Sequence, residues 1–275
     1  MQSISDQLRS NGKIIGFVPT MGFLHEGHAS LIKKSIENTG ITIVSIFVNP
    51  TQFSPTEDLV SYPRDIRKDK ILLKKCKVDY LFIPSTDEIY PSNFNTYVEV
   101  SEITKKFEGE FRPAHFRGVT TIVSILFNVV KPHKVFFGQK DAQQAFVIKK
   151  MIKDLQYDVK LIICPIVREH DGLAMSSRNI YLTDEDRRKA LLLSRSLNDA
   201  KMLIEEGERS VTLIIKKMNN IFIPEKSVHM NYIAIVDADS FSDVEILEAE
   251  KSYFVLIAAK VGKTRLIDNL FLTVS

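Results

Sequence analysis

The sequence predicts an α/β chain, with a parallel-sheet domain over residues 1–167 and a smaller C-terminal α+β domain over residues 168–275. Three observations carry this. Short β-type runs that are apolar on both faces alternate with helix-length segments, which implies a parallel sheet covered on both sides. After about Val167 the alternation gives way to a polar loop, a long helical stretch and then consecutive strand-like runs. The length of 275 residues corresponds to roughly two domains of about 150 residues each.

KIIGFVP, from Lys13 to Pro19, is short, β-rich and closed by proline, and ITIVSIFV, from Ile41 to Val48, repeats that character one helix-length later. Together they open a βαβ unit. Further strands are expected at Tyr80 to Pro84, Thr96 to Val100, Lys134 to Gly138 and Val159 to Val167, with helices near Pro63 to Cys76, Gly118 to Val130 and Asp141 to Leu155. In such sheets ligands sit beyond the carboxyl ends of the strands. The polar turns at 20–27, 49–54 and 138–144 follow strands and are the places to seek chemistry. In the second domain, Thr183 with Asp184, Glu185 and Asp186 marks the start of a helix running to about Gly207. A second helix spans Val211 to Phe222, and three strands follow, the last two joined at Gly262-Lys263 by a tight hairpin.

Composition excludes several classes. Hydrophobic residues at 44% and charged residues at 26% are those of a globular chain, neither disordered nor disulfide-stapled. Lys+Arg 37 against Asp+Glu 34 leaves a charge of only +3, so no nucleic acid partner is expected. The N-terminal segment lacks a signal-peptide pattern, and the longest apolar runs, such as Tyr253 to Ala259, are far too short to span a membrane. A cytoplasmic protein without membrane partners is expected. Cys76 and Cys164 lie in apolar, strand-like surroundings without a partner motif and are expected to be buried, reduced thiols.

Four motifs can carry chemistry. In PTMGFLHEGHASLI, from Pro19 to Ile32, two glycines allow tight turns, and His25 and His28 share one face at a helix start. A helix N-terminus with two added imidazole donors suits phosphate oxygens. The alternative, a metal pair or two solvated histidines, lacks a third ligand at zinc spacing. In REHDGLAMSSRN, from Arg168 to Asn179, Ser176, Ser177 and Arg178 combine hydroxyl donors with a guanidinium fork, as a flexible phosphate clamp would; alone, a capped surface loop explains them as well. In FFGQKDAQQ, from Phe136 to Gln144, Lys140 offers a mobile phosphate ligand and Asp141 either a helix cap or a ribose ligand, with Gln144 one turn on. Asn49 and Gln52 follow a buried strand, where neutral amides can orient a carboxylate without quenching it, or simply build an Asn-Pro turn.

Taken together, PTMGFLHEGH, SIFVNPTQF, EDLVSYPRD, FEGEFRPAHFRGV, KPHKVFFGQKDAQQ and DGLAMSSRNIYL resemble the pantothenate synthetase (pantoate–β-alanine ligase) family, within the nucleotidylyltransferases that carry a HIGH-type signature. The likeness spans nearly all of the first 182 residues; beyond them it rests on length and the ending KTRLIDN. The resemblance implies ATP-dependent condensation of (R)-pantoate with β-alanine through a pantoyl-adenylate, releasing AMP and pyrophosphate. It implies a Rossmann-like domain that binds ATP and pantoate, a C-terminal lid, a homodimer and Mg²⁺. Carried over residue by residue, Met21, Gly22, Phe23, Leu24, His25, Glu26, Gly27 and His28 line the ATP site, with His28 the proton donor and His25 beside it. Gly138, Gln139, Lys140, Asp141, Val167 and Met175 through Arg178 also contact ATP. Gln52 holds pantoate and the β-alanine position and Gln144 holds pantoate, with Asn49 and Arg112 assisting near that pocket. Lys140, Ser176, Ser177 and Arg178 join the histidines in stabilising the reacting phosphates. No metal residue is assigned: Asp65 and Asp69 are candidate carboxylates, with phosphate oxygens and waters supplying most of the coordination. The 20 residues ahead of Met21 are fewer than the family suggests, so an early helix is expected to be trimmed.

Two other readings compete. A nucleotidylyltransferase that leaves AMP on its product shares the His-x-Gly-His turn, but NPTQF and GQKDAQQ argue against it. A non-catalytic RNA-binding module would draw on the pI near 8.7, yet the chain has Trp 0 and no basic stripe interleaved with aromatics.

Overall fold

A computed structural model describes residues 1–55 and 57–275, and the chain divides into two compact units. The first comprises residues 1–139 and 143–165, and the second residues 140–142 and 166–275.

The first unit runs α1 (Gln2–Ser10), β1 (Ile15–Thr20), α2 (Glu26–Asn38), β2 (Ile41–Ile46), α3 (Ile66–Lys75), β3 (Tyr80–Phe82), α4 (Thr86–Ile89), α5 (Glu108–Phe111), α6 (His115–Val130), β4 (Lys134–Gly138), α7 (Ala142–Asp154) and β5 (Lys160–Cys164). The five strands form one parallel sheet in the order β3-β2-β1-β4-β5. Ile15 pairs with Ile41 and Thr20 with Ile46, so β1 and β2 end level with one another. Ile15, Phe17 and Val18 are all fully buried, as the continuous apolar run requires of a strand with both faces covered. The strand order reverses between β1 and β4, and the turns after these two strands therefore flank the point where doubly wound sheets open a crevice.

α6 packs under this sheet and is apolar on nearly every side, with Phe116, Val119, Ile122, Val123, Leu126, Phe127 and Val130 all buried. It ends at Lys131 in a left-handed conformation, and Arg9 of α1 donates to the Lys131 carbonyl at 2.9 Å. The segment 96–100, expected as a strand, is not one. Its alternating pattern is satisfied by a helix instead of a neighbouring strand: the Val98 amide donates to Thr121 Oγ1, and Val98 O accepts from Thr120 Oγ1. Cys164 is buried, but Cys76 is only half-buried because it closes α3 at its surface end. Both are free thiols, and burial raises each pKa above the ordinary cysteine value.

The second unit holds α8 (Asp184–Glu205), α9 (Val211–Asn220), and the antiparallel strands β6 (Val228–Asp237), β7 (Ser252–Val261) and β8 (Thr264–Thr273), in the order β6-β7-β8. Thr183 caps α8 by accepting the Asp186 amide at 3.1 Å, and three acidic residues favour that helix's positive end. Ala190, Leu193, Leu197, Ala200 and Ile204 recur at helical spacing and bury α8 against the sheet. Gly262, at φ 56°, turns the β7–β8 hairpin. Among the described residues, no helix is long and apolar enough to cross a membrane.

Candidate active site

The first cluster grows from the end of β1. Gly22 and Phe23 both adopt positive φ, 84° and 50°, which reverses the chain so that His25 becomes the N-cap of α2. The two histidines then cap the helix reciprocally. The Gly27 amide donates to His25 Nδ1 at 3.2 Å, and the His25 amide donates to His28 Nδ1 at 3.3 Å. This is a capping box with imidazoles in both roles, where a hydroxyl and a carboxylate are usual. Because each Nδ1 accepts a hydrogen bond, the neutral rings carry their proton on Nε2. The rings lie 4.1 Å apart at centroid. Two N–H donors and the partial positive charge of a helix start therefore share one face, an arrangement that stabilises developing phosphate charge.

The turn itself is held from α3. Asp69 is 2% exposed, and its Oδ2 and Oδ1 accept the Phe23 and Leu24 amides at 2.9 and 2.7 Å. Burial nonetheless raises its carboxyl pKa above the ordinary value, outweighing the two amide bonds. Asp65 caps α3 through the Lys68 amide. Both carboxylates considered for a metal are thus committed to backbone N–H groups.

The second cluster follows β2. Asn49 is 1% exposed and donates to Gln52 Oε1 and to the Gly118 carbonyl, both at 3.1 Å. Its own oxygen accepts from Thr51 Oγ1 and from the Tyr90 hydroxyl. Gln52 Nε2 donates to the Met21 sulfur at 2.9 Å, which ties this cluster to the end of β1. Asn49 thereby fixes the orientation of the Gln52 amide. Gly118 lets α6 approach the turn: a Cβ there would lie 2.5 Å from the Thr51 carbonyl oxygen.

Arg112, expected to assist the substrate, is one-eighth exposed and paired with Glu57. It also donates to His115 Nε2 at 3.2 Å, while His115 Nδ1 bonds the Gln52 carbonyl at 3.2 Å. A carbonyl only accepts and a guanidinium only donates, so His115 carries its proton on Nδ1. The Glu57–Arg112–His115 chain thus supports the Gln52 backbone. Gln144 is half-buried on the first turn of α7, beside a buried Gln143 whose amide bonds Ile103 O, Lys106 O and the Glu108 amide. Gly138 and Gln139 close β4 at the reversal of strand order.

The remaining site residues lie in the second unit. The Lys140 carbonyl is held by Asn269 Nδ2 of β8 at 2.9 Å, and Lys140 Nζ lies 4.0 Å from Asp141. The loop from Val167 folds back on itself: the Met175 amide donates to the Val167 carbonyl, and Ser176 Oγ accepts the Arg178 amide at 3.3 Å. Arg168 braces its base with paired bonds to Asp268 at 2.7 and 3.0 Å, and Arg187 bridges Glu169 and Asp171. Ser177 is buried, and Met175, Ser176 and Arg178 are half-buried.

Residue spacing alone did not expose Asp69 as a turn anchor, nor Tyr90, His115 and Glu57 as supports, because each acts through a tertiary contact with a residue far away in sequence. Asp69 is an ordinary acidic residue in a polar segment and gives no signal of this role. Glu57 and His115 stand within the quoted stretches EDLVSYPRD and FEGEFRPAHFRGV, which is the hint the sequence offers.

Both the sequence and the fold of the chain match known proteins. The pantoate-beta-alanine ligase family model matches residues 1–271. A pantothenate synthetase of Caldicellulosiruptor bescii is 51% identical over 98% of this chain and 95% of its own length, and that of Acetivibrio thermocellus is 50% identical over 100% and 97%. Among solved structures, the pantothenate synthetase of Thermus thermophilus superposes with a TM-score of 0.91 at 39% identity, covering 97% of this chain and 96% of that one. The pantoate-beta-alanine ligase of Francisella tularensis, crystallised with beta-gamma ATP and beta-alanine, gives 0.78 at 35% identity, covering 98% and 93%. With its sequence matched over nearly its whole length and its fold shared with solved members, the chain belongs to the pantoate-beta-alanine ligase family.

Proposed function

We propose that this ligase joins (R)-pantoate to β-alanine in two steps, with ATP first converting the pantoate carboxylate into a pantoyl-adenylate. A carboxylate is a poor acyl donor until its oxygen becomes a phosphate leaving group, and adenylation supplies that group. The observation that carries the reading is the reciprocal His25–His28 box, with both Nε2 protons set at the start of α2 beyond the carboxyl end of β1. In the first step the carboxylate attacks the α-phosphate. His28, with His25 beside it, donates to the charge that spreads over the phosphate oxygens. Lys140, Ser176, Ser177 and Arg178 are assigned to the same phosphates and to the departing pyrophosphate, Gly138, Gln139, Asp141, Val167 and Met175 to the nucleotide, and Gln52 with Gln144 to pantoate. Neutral amides orient that carboxylate without an ion pair, which leaves it nucleophilic. In the second step the free amine of β-alanine attacks the activated carbonyl and AMP leaves.

Mg²⁺ enters with the ATP phosphates as part of the substrate, in keeping with its preference for phosphate oxygens and water. Asp69 gives both oxygens to backbone amides, and Asp65 gives Oδ1 to the Lys68 amide with Oδ2 3.6 Å from the Lys68 ammonium, which supports this assignment. Residues beyond 167 are assigned the role of a lid. Assembly as a homodimer in the cytoplasm is part of the same reading, supported by family membership alone, and light scattering of the purified chain tests the dimer. The reaction is tested by measuring pyrophosphate and AMP release with ATP, Mg²⁺ and pantoate, with and without β-alanine. Steady AMP release only when both acids are present supports the two-step order; no turnover with ATP bound returns the chain to the wider nucleotidylyltransferases.

A further inference from the structure

We propose that Asp69 is a positioning residue for the phosphate end of the site: its carboxylate locks the Gly22–Leu24 turn and so sets the angle at which the His25–His28 box meets ATP. The inference rests on the reading that this box binds the phosphates.

A turn that points successive backbone N–H groups at one spot creates a concavity that takes an anion. Gly22 and Phe23, at φ 84° and 50°, make such a turn for the Phe23 and Leu24 amides. The anion in the concavity is the Asp69 carboxylate, with one oxygen on each amide, Phe23 at 2.9 Å and Leu24 at 2.7 Å. Phe23 bears a Cβ and holds a conformation that glycine adopts far more readily, so the turn needs an external restraint. A charged acceptor gives stronger bonds than a neutral one would. Packing is tight as well, since a Cβ on Gly22 would meet Ile46 Cγ2 at 3.0 Å and Asp69 Oδ2 at 3.1 Å. Leu24 is followed at once by His25, whose amide and ring make half of the box. Asp69 sits on the first turn of α3, an element that supplies none of the site residues assigned above, and reaches the site through backbone alone.

The test uses the full chain with Asp69→Asn and Asp69→Glu, and with Asp79→Asn as a matched control. Asp79 Oδ2 accepts the Thr42 amide at 2.7 Å, a bond of the same kind made away from the turn. Asn at 69 presents an N–H₂ group to one of two amide donors, and Glu retains the charge but displaces it. A displacement of about 1 Å at a catalytic group is worth up to about 10²-fold in rate. Asp69→Asn is expected to lower kcat/KM for ATP by about 10- to 100-fold while the KM for pantoate stays within about twofold. Asp69→Glu should recover part of the loss, and Asp79→Asn should lower Tm without changing kcat/KM for ATP. An equal fall in the ATP and pantoate parameters, or an unchanged kcat/KM for ATP in folded Asp69→Asn, overturns the proposal. If Asp69→Asn does not fold, an unchanged kcat/KM for ATP in Asp69→Glu overturns it. Imidazole ¹⁵N spectra of the same proteins read the box without substrate. Unshifted His25 and His28 signals in the Asp69 variants reject the positioning role even if the wild-type chain proves inactive with ATP, an outcome that would by itself count only against the proposed reaction.

Discussion

His25 and His28 each use Nδ1 to accept a backbone amide of the same helix start, so the residues assigned to phosphate chemistry are also the cap of α2. The cap fixes both tautomers before any ligand arrives, and the rings meet in a tilted contact, 46° between planes and 4.1 Å between centroids. Preorganised donors are effective because nothing has to reorganise when charge develops.

Replacing His28 with alanine removes an acceptor from the His25 amide and an Nε2 donor from the phosphates. Loss of one such donor is expected to slow adenylate formation by about 10²-fold or more. The fold should survive, since a lost cap costs only about 1 kcal/mol. Single-turnover pyrophosphate release measures the first effect and thermal unfolding the second. An unchanged burst would remove His28 from the chemical step.

Gln52 is oriented by Asn49 at 3.1 Å and by the Met21 sulfur at 2.9 Å, far from solvent. Gln52→Ala should therefore raise the KM for pantoate much more than that for ATP. Steady-state kinetics with each substrate varied in turn decides this, and equal changes in both would make Gln52 a support of the site's fold and not a pantoate ligand.

Gly118 gives a way to disturb the same amide without touching it. An alanine Cβ at 118 would lie 2.5 Å from Thr51 O and 2.6 Å from the Gln52 amide nitrogen, both backbone atoms that cannot rotate away. Either α6 or the turn carrying Gln52 must move. Gly118→Ala should lower stability by about 1–3 kcal/mol, as overpacking does. It should also reproduce the pantoate defect of Gln52→Ala, and denaturant unfolding together with the pantoate KM would show whether both occur.

The strands β1, β2, β4 and β5 and the helices α7, α8 and α9 could be read from the sequence because continuous apolar runs and helical spacing record burial directly. Thr96 to Val100 misled because alternation reports which side chains are buried, not what the backbone bonds; here Thr120 and Thr121 take the place of a neighbouring strand. The bounds of α1 were not read: its apolar stripe is short, with Met1, Ile4 and Leu8 at helical spacing, and Ser5 is its one fully buried residue. At the site, the residues assigned to ligands could be listed from their motifs, but their supports could not. Tyr90 reaches Asn49 across 41 residues and Asp69 reaches Leu24 across 45, and no local pattern records such pairings. Arg112 shows the same limit: the family resemblance implied a role beside the substrate pocket, and its pairing with Glu57 and His115 is a tertiary contact that no local pattern records.

Asp69 also makes a prediction about stability. Burial raises its pKa in the folded chain above the ordinary aspartate value of 3.8, so the folded state binds this proton more tightly than the unfolded state does. Its contribution to stability is then fully present below that ordinary value and is lost as pH rises through the folded-state pKa. The ionised form is held at a cost from burial, offset in part by the Phe23 and Leu24 amides and increased by the charge of Asp65. Asp69→Asn has no proton to lose. The stability of the wild type relative to Asp69→Asn should therefore fall as pH is raised from about 4 toward 7. Urea unfolding of both proteins across that range measures the difference. A difference that instead grows with pH would mean that the two amide bonds outweigh burial, and that the carboxylate stabilises the fold as well as the turn.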